Sequence, residues 1–342
     1  MKSSYVSCTS VCVKNRRHKP TEIRTESRGF SRGFLVMTAH LCNLCPRRCN
    51  TDRDTPDGFK RALCRSPWAP KVALVSLHAW EEPCLSGKNG AGTVFFSHCT
   101  MRCCFCQNYP ISHEGKGLTV SPERLRDIFL EQQDRKASCL ELVTPSHYAE
   151  SLVFALKEAK KAGLTIPVVY NTNAYDLPET LRRFDGLVDI FMPDLKYFDS
   201  RYGARYSGVP DYFDIARLAI QTMFDLVGPV QKNISGLMTR GVLIRHLVLP
   251  WLWRDSCRCL DWIYGTFGDA VVVSIMNQYM PLFKATRHPE INRPLTTLEY
   301  QRVLKHAEKL GMSNVYVQVG KTNSDIFIPI FDGSHVLTSH EN

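Results

Sequence analysis

From residue 93 onward the chain alternates short runs of β-branched and apolar residues with longer stretches whose apolar positions recur at helical spacing. Residues 93–96, 139–143, 166–170, 187–192, 242–248, 271–275 and 315–319 read as strands. A helix opens at Ser121-Pro122-Glu123, with proline at the first helical position, and places Leu125, Ile128 and Phe129 on one face. Further helices are predicted over 148–161, stopped by Gly163, and over 178–184, 212–227, 255–266 and 297–310. In the 212–227 segment Ile215, Ala216, Ala219, Ile220 and Met223 form the apolar stripe. Strands alternating with helices predict βα units on a parallel sheet, here an α/β fold with six or seven parallel strands in a partial (β/α) barrel. The active site of such a barrel lies at the carboxyl ends of its strands. The polar residues there are Thr144, Asn171, Thr172, Asn173, Asp194, Lys196, Arg245, His246, Asn277, Gln278 and Gln318.

Charge changes this picture little. The chain of 342 residues carries a formal charge of +10, but residues 1–40 alone hold eight Lys and Arg against two Asp and Glu. That segment lacks hydrophobic periodicity, so a disordered basic tail is expected over 1–40. It reads as an unstructured leader or an early start ahead of Met37 more readily than as an organelle address, which calls for a clear amphipathic helix. The sequence contains no apolar run of roughly 18 residues to span a bilayer and no secretory signal pattern, so a cytoplasmic location is expected. The expected organisation is a cysteine-rich module over 41–85, the barrel over 86–330, and a short tail over 331–342.

The 14 cysteines carry the chemistry. A chain this long can bury a core without disulfide staples, and clustered cysteines at short fixed spacing point to metal. Cys99, Cys103 and Cys106 form a C-x3-C-x2-C pattern at the carboxyl end of the first predicted strand. Three thiolates on one loop suit a 4Fe-4S cluster with one iron left open for a ligand. Cys42, Cys45, Cys49 and Cys64 supply four thiolates, enough for a zinc ion or a second iron-sulfur cluster with no open position, in a structural or electron-relay role. Cys104, beside a cluster ligand, is read as inert. The run Ser86-Gly87-Lys88-Asn89-Gly90-Ala91-Gly92 precedes a strand and is read as a turn, since a phosphate loop needs strand-loop-helix order.

With Phe105 ahead of the third cysteine, the loop resembles the signature of the radical S-adenosylmethionine (radical SAM) superfamily. The closer likeness is to the branch related to pyruvate formate-lyase activating enzyme, with an extra amino-terminal cysteine group. It covers residues 40–330 and rests on Cys45-Pro46-Arg47-Arg48-Cys49, Glu81-Glu82-Pro83, Phe105-Cys106-Gln107-Asn108, Val143-Thr144-Pro145-Ser146-His147-Tyr148, Tyr170-Asn171-Thr172-Asn173, Pro193-Asp194-Leu195-Lys196, Arg245-His246-Leu247-Val248-Leu249-Pro250 and Gln278-Tyr279. The resemblance implies an oxidoreductase in which S-adenosylmethionine binds the open iron and is reductively cleaved to a 5′-deoxyadenosyl radical that takes hydrogen from a substrate. It implies that Phe105 packs near the adenine, that Asp194 receives ribose hydroxyls, and that Lys196 and Arg245 face the methionyl carboxylate, with Thr144, Asn171, Asn173 and Gln278 as further cofactor contacts. The sequence departs from relatives at Thr144-Pro145, where a Gly-Gly-Glu stretch is common. It departs also at Asn171 and Ala174, at Gln278-Tyr279, and at His98. The implied partners are an electron donor such as flavodoxin or ferredoxin and a glycyl-radical protein as substrate. The alternative is a radical SAM enzyme acting on a small molecule or another macromolecule. A zinc-ribbon nucleic-acid-binding protein is the non-enzyme alternative; against it, little net charge remains outside the tail and no binding motif appears.

Overall fold

The computed structural model describes residues 41–318 and 328–338. The expectation of a disordered tail over 1–40 lies outside the described residues. The described residues belong to one compact unit.

Eight strands make the frame: β1 (Lys71–His78), β2 (Ala91–Phe96), β3 (Leu140–Val143), β4 (Val168–Thr172), β5 (Ile190–Pro193), β6 (Met238–Leu247), β7 (Val272–Met276) and β8 (Val315–Val317). Strands β2 to β8 pair in chain order and all parallel, while β1 pairs antiparallel with β2 at one end. Two-residue strands at Leu118–Thr119 and Gln231–Lys232 add to β1 and β6. Among the described residues no pairing joins β8 back to the other end, so the sheet curls into an open partial barrel. Every residue of β2, β3, β4, β5 and β7 is buried, as a sheet covered on both faces requires.

The crossover helices supply the cover. Helix α1 (Pro122–Asp134) starts where the Ser121 side chain accepts from the Arg124 amide, and it buries Leu125, Ile128 and Phe129 completely. Helices α2 (Ala149–Lys161), α3 (Tyr212–Val227), α4 (Trp253–Phe267) and α5 (Thr297–Leu310) follow. In α2 the buried face is Leu152, Ala155, Leu156 and Ala159. Each leucine there is worth about 1.5–3 kcal/mol in apolar burial, and Leu152→Ala would cost about 2–5 kcal/mol through lost transfer energy and a cavity. Helix α5 opens with a capping box between Thr296 and Glu299 and ends at Gly311, whose φ of 81° gives the left-handed cap. No helix among the described residues is long and apolar enough to cross a membrane.

The parallel strands and α1 to α5 lie where the periodicity predicts them, with shifted ends. The strand expected from residue 187 starts at Ile190, because Leu187 and Val188 donate their amides back to Phe184 and close the preceding turn. β1, inside the stretch assigned to the cysteine module, is hydrogen-bonded into the sheet. Residues 331–338 lie against it: Gly333 donates to Ala73 at 3.0 Å, Val75 donates to Ser334 at 3.1 Å, and Val336 is fully buried. A lone antiparallel strand and a loop with one buried valine carry too little periodicity to be read from sequence.

Candidate active site

The carboxyl ends of the parallel strands open into a cavity of about 750 Å³. Cys99, Cys103, Phe105 and Cys106 line it from the loop after β2, and Thr144, Asn171, Asn173, Asp194, Lys196, Arg245 and Gln278 line it from the later strand ends. All eleven residues singled out from the sequence for the cluster and its cofactor therefore meet in one space.

Each of the three thiols has its own polar side-chain partner. The Asn173 amide nitrogen lies 3.3 Å from Cys99 Sγ, the Ser207 hydroxyl lies 3.0 Å from Cys103 Sγ, and the Ser112 hydroxyl lies 3.2 Å from Cys106 Sγ. The Met101 amide also points at Cys99 Sγ at 3.4 Å. Burial pushes the Cys99 thiol up to about 12 and the Cys106 thiol up to about 11, so without a cation these sulfurs keep their protons. Donors aimed at sulfurs that are neutral on their own fit a group that brings its own positive charge, as iron does. Among the described residues no three His, Cys, Asp or Glu side chains form a group that could hold a metal ion. Three thiols on one loop, with polar donors beside Cys99 and Cys103, are a ligand set that fits a cluster with one iron left open. Cys104 does not line the cavity; its amide donates to Tyr206 at 2.7 Å and its side chain is buried.

Opposite the thiols stands a polar network. Arg245 Nε donates to Asp194 Oδ1 at 2.8 Å and its NH2 to Asn171 Oδ1 at 2.9 Å, while Lys196 Nζ donates to Asp194 Oδ2 at 2.8 Å. Burial works to raise the Asp194 carboxyl, but Arg245 and Lys196 outweigh it and hold the group below its ordinary range. Asn171 Nδ2 donates to Glu141 Oε1 at 2.6 Å. Burial, with Glu81 adding to it, drives Glu141 well above the ordinary range and favours its neutral form. The Tyr212 hydroxyl stands behind this array, 2.6 Å from the Asp194 carbonyl and 3.0 Å from that of Asn173, and accepts from the Lys196 amide at 3.0 Å. It ties two strand ends together from the side away from the cavity.

Phe105 meets Tyr279 edge-on with ring centroids 5.7 Å apart, and the Gln107 side chain donates to the Gln278 carbonyl at 3.0 Å. Thr144 occupies the left-handed region at φ 60°, unusual for a β-branched residue, and its amide donates to the Asn171 carbonyl at 2.9 Å.

Three acidic residues of the cavity had no role assigned from sequence: Glu81, Glu82 and Glu141. Glu81 lies 3.5 Å from Arg245. Burial raises the Glu82 carboxyl, and Glu81 adds to that effect. A charged residue in the apolar run of β3 was the signal for Glu141; Glu81 and Glu82 follow β1, a strand the periodicity did not reveal.

The family model described as the radical SAM superfamily matches residues 93–238. The uncharacterized protein MJ0674 of Methanocaldococcus jannaschii is 31% identical over 286 residues, covering 80% of this chain and 76% of that protein. Among solved structures the chain is similar to Streptococcus suis SuiB bound to precursor peptide SuiA, with a TM-score of 0.44 and 14% identity over 65% of this chain and 47% of that one. It is similar also to SuiB bound to S-adenosylmethionine, with a TM-score of 0.45 and 13% identity over 65% of this chain and 48% of that one. The chain thus spans about half the length of these structures. With a family match across the strands that carry the thiols and a relative of 31% identity along most of its length, this chain belongs to the radical SAM superfamily.

Proposed function

We propose that this radical SAM enzyme activates a partner protein by abstracting hydrogen from one of its glycine residues. Cys99, Cys103 and Cys106 would hold a 4Fe-4S cluster, and Asp194, Lys196 and Arg245, with Thr144, Asn171, Asn173, Phe105 and Gln278, would hold S-adenosylmethionine. When bound, these groups supply the electron and the 5′-deoxyadenosyl radical that takes the hydrogen atom. The chain's own part is to orient and to exclude. Lys196 and Arg245 present cationic donors for a carboxylate, Asp194 presents an ionised carboxylate for hydroxyl groups, and the walls of Phe105, Phe95 and Met276 keep water from the reacting atoms.

The observation that carries this reading is the Asp194-Lys196-Arg245 constellation, assembled within hydrogen-bond distance opposite the three thiols as the likeness to activating enzymes implies. The mouth of the cavity carries Trp80, 71% exposed, and Pro329, surface that a polypeptide loop could cover. A flavodoxin or ferredoxin would supply the electron, in a cytoplasmic setting. The test is anaerobic reduction with S-adenosylmethionine and a co-occurring candidate partner, read by electron paramagnetic resonance (EPR). A glycyl radical on the partner, lost with Cys99→Ala, is the expected result, and S-adenosylmethionine cleavage with no radical on any candidate overturns it.

A second reading has its own observation. Glu81, Glu82 and Glu141 gather on the cavity wall, and burial holds Glu82 and Glu141 toward their neutral forms, which a bound cation would ionise. A small cationic substrate would use them, and turnover of an amine that fails in Glu82→Gln would favour that reading.

A further inference from the structure

We propose that Cys42, Cys45, Cys49 and Cys64 hold a second, closed iron-sulfur cluster, docked directly on the loop of the first. The four thiols converge. Arg53 bridges Cys42 Sγ and the carbonyl of Ser66, two residues past Cys64, and the amide of Leu63, next to Cys64, reaches Cys49 Sγ at 3.4 Å. Cys42, Cys45 and Cys64 are buried, and all four are free of disulfides. The chain is wrapped to present them: Arg48, Asn50 and Arg65 take left-handed backbone angles of 41°, 50° and 55°. The Asn50 amide donates to the Cys42 carbonyl at 3.0 Å, and the Arg48 amide to the Cys45 carbonyl at 3.0 Å.

The site is built for negative charge. Arg53 is completely buried, and among the described residues no carboxylate pairs with it. Its guanidinium donates to the carbonyls of Ser66, Pro67 and His147 at 2.8, 2.6 and 2.7 Å, and its NH1 reaches Cys42 Sγ at 3.5 Å. A buried cation without a counter-ion is costly, and four thiolates around a metal core supply the missing negative charge. The Leu63 amide also points at Cys49 Sγ at 3.4 Å, the kind of donor that cluster sulfurs receive.

Position separates a cluster from zinc. A zinc ion keeps one oxidation state, whereas an iron-sulfur cluster can pass an electron to a neighbour, and the quartet has such a neighbour. The two sites are joined: Arg47 Nε donates to the Thr100 carbonyl at 3.1 Å, Arg102 donates to the Leu63 carbonyl, and Asn173 contacts both Thr100 and Cys99. The quartet therefore sits against the loop whose thiols face the cavity.

This proposal shares with the functional reading only the assignment of iron to the triplet, and one set of preparations separates the two. Iron, acid-labile sulfide and zinc are counted in the full chain after anaerobic reconstitution, together with cleavage of S-adenosylmethionine. The wild type is expected to hold about eight irons and eight sulfides, two cubane clusters. Cys99→Ala, Cys103→Ala and Cys106→Ala combined should halve both counts and abolish cleavage. The residual cluster should give an EPR signal unmoved by S-adenosylmethionine, as a closed cluster requires. About four irons and one zinc in the wild type, or an iron-free triplet variant with a folded circular dichroism spectrum, overturns the proposal. Should the triplet variant fail to fold, the wild-type count alone decides between eight and four. Eight irons without cleavage would sink the functional reading and leave the second cluster standing.

Discussion

Arg245 and Asp194 face each other across neighbouring strand ends, with Nε 2.8 Å from Oδ1, and both side chains are more than four-fifths buried. The isolated bridge between the same two residues shows that β5 and β6 stay in register to the cavity floor. The pair is thus fixed by the sheet, and the other nitrogens of Arg245 reach Asn171 and Glu81 on the same cavity wall.

Arg245→Leu should destabilise the fold by about 3–5 kcal/mol, because it strands a buried carboxylate with Lys196 as its one remaining cation. Urea unfolding would measure this, and Asp194→Asn combined with Arg245→Leu should recover part of the loss. Binding of S-adenosylmethionine should fall at least tenfold in both variants; unchanged affinity would remove the pair from the cofactor site.

Tyr212→Phe leaves the Asp194 carbonyl and the Lys196 amide without their shared partner. A loss of about 1–3 kcal/mol is expected, the cost of unsatisfied buried polar groups. Because Tyr212 acts through Asp194 and Lys196, the apparent affinity for S-adenosylmethionine should weaken while the iron content stays at the wild-type level.

Donors to the cysteine sulfurs stabilise the reduced, more negative state of a bound cluster. Asn173→Ala and Ser207→Ala should each move its midpoint potential to more negative values in an EPR-monitored redox titration. Two unmoved potentials would mean that these contacts are not kept in the loaded enzyme.

Asp255 accepts the amides of Phe198 and Asp199 at 2.9 and 2.8 Å, yet burial raises its carboxyl to about 6 from an ordinary 3.8. The folded state therefore binds the proton more tightly than the unfolded chain, and this group's contribution makes the protein more stable as pH falls from about 6 to about 4. Asp255→Asn should flatten that part of the stability profile. Urea midpoints of both proteins between pH 7 and pH 4.5 would show the difference; parallel profiles would contradict the assignment.

The alternation of apolar runs with helical stripes determined the seven parallel strands and their helices, because each element carries its own period in consecutive residues. The polar residues at the strand ends were legible for the same reason: once a strand is placed, the residue that follows it is known. The cysteine triplet was legible from its spacing within one loop. What only the tertiary structure decided is everything set by pairing across the chain. Glu141 meets Asn171 because β3 and β4 align Val143 with Asn171, and Ser207 reaches Cys103 from 104 residues away. Arg53 lies against Cys42 beneath the carbonyl of His147, 94 residues on. Register and docking are non-local, and a local pattern cannot encode them. The sequence by itself therefore determined which side chains could do chemistry, and the fold decided that the acids share the cavity with the thiols and that the second cysteine group lies against the first.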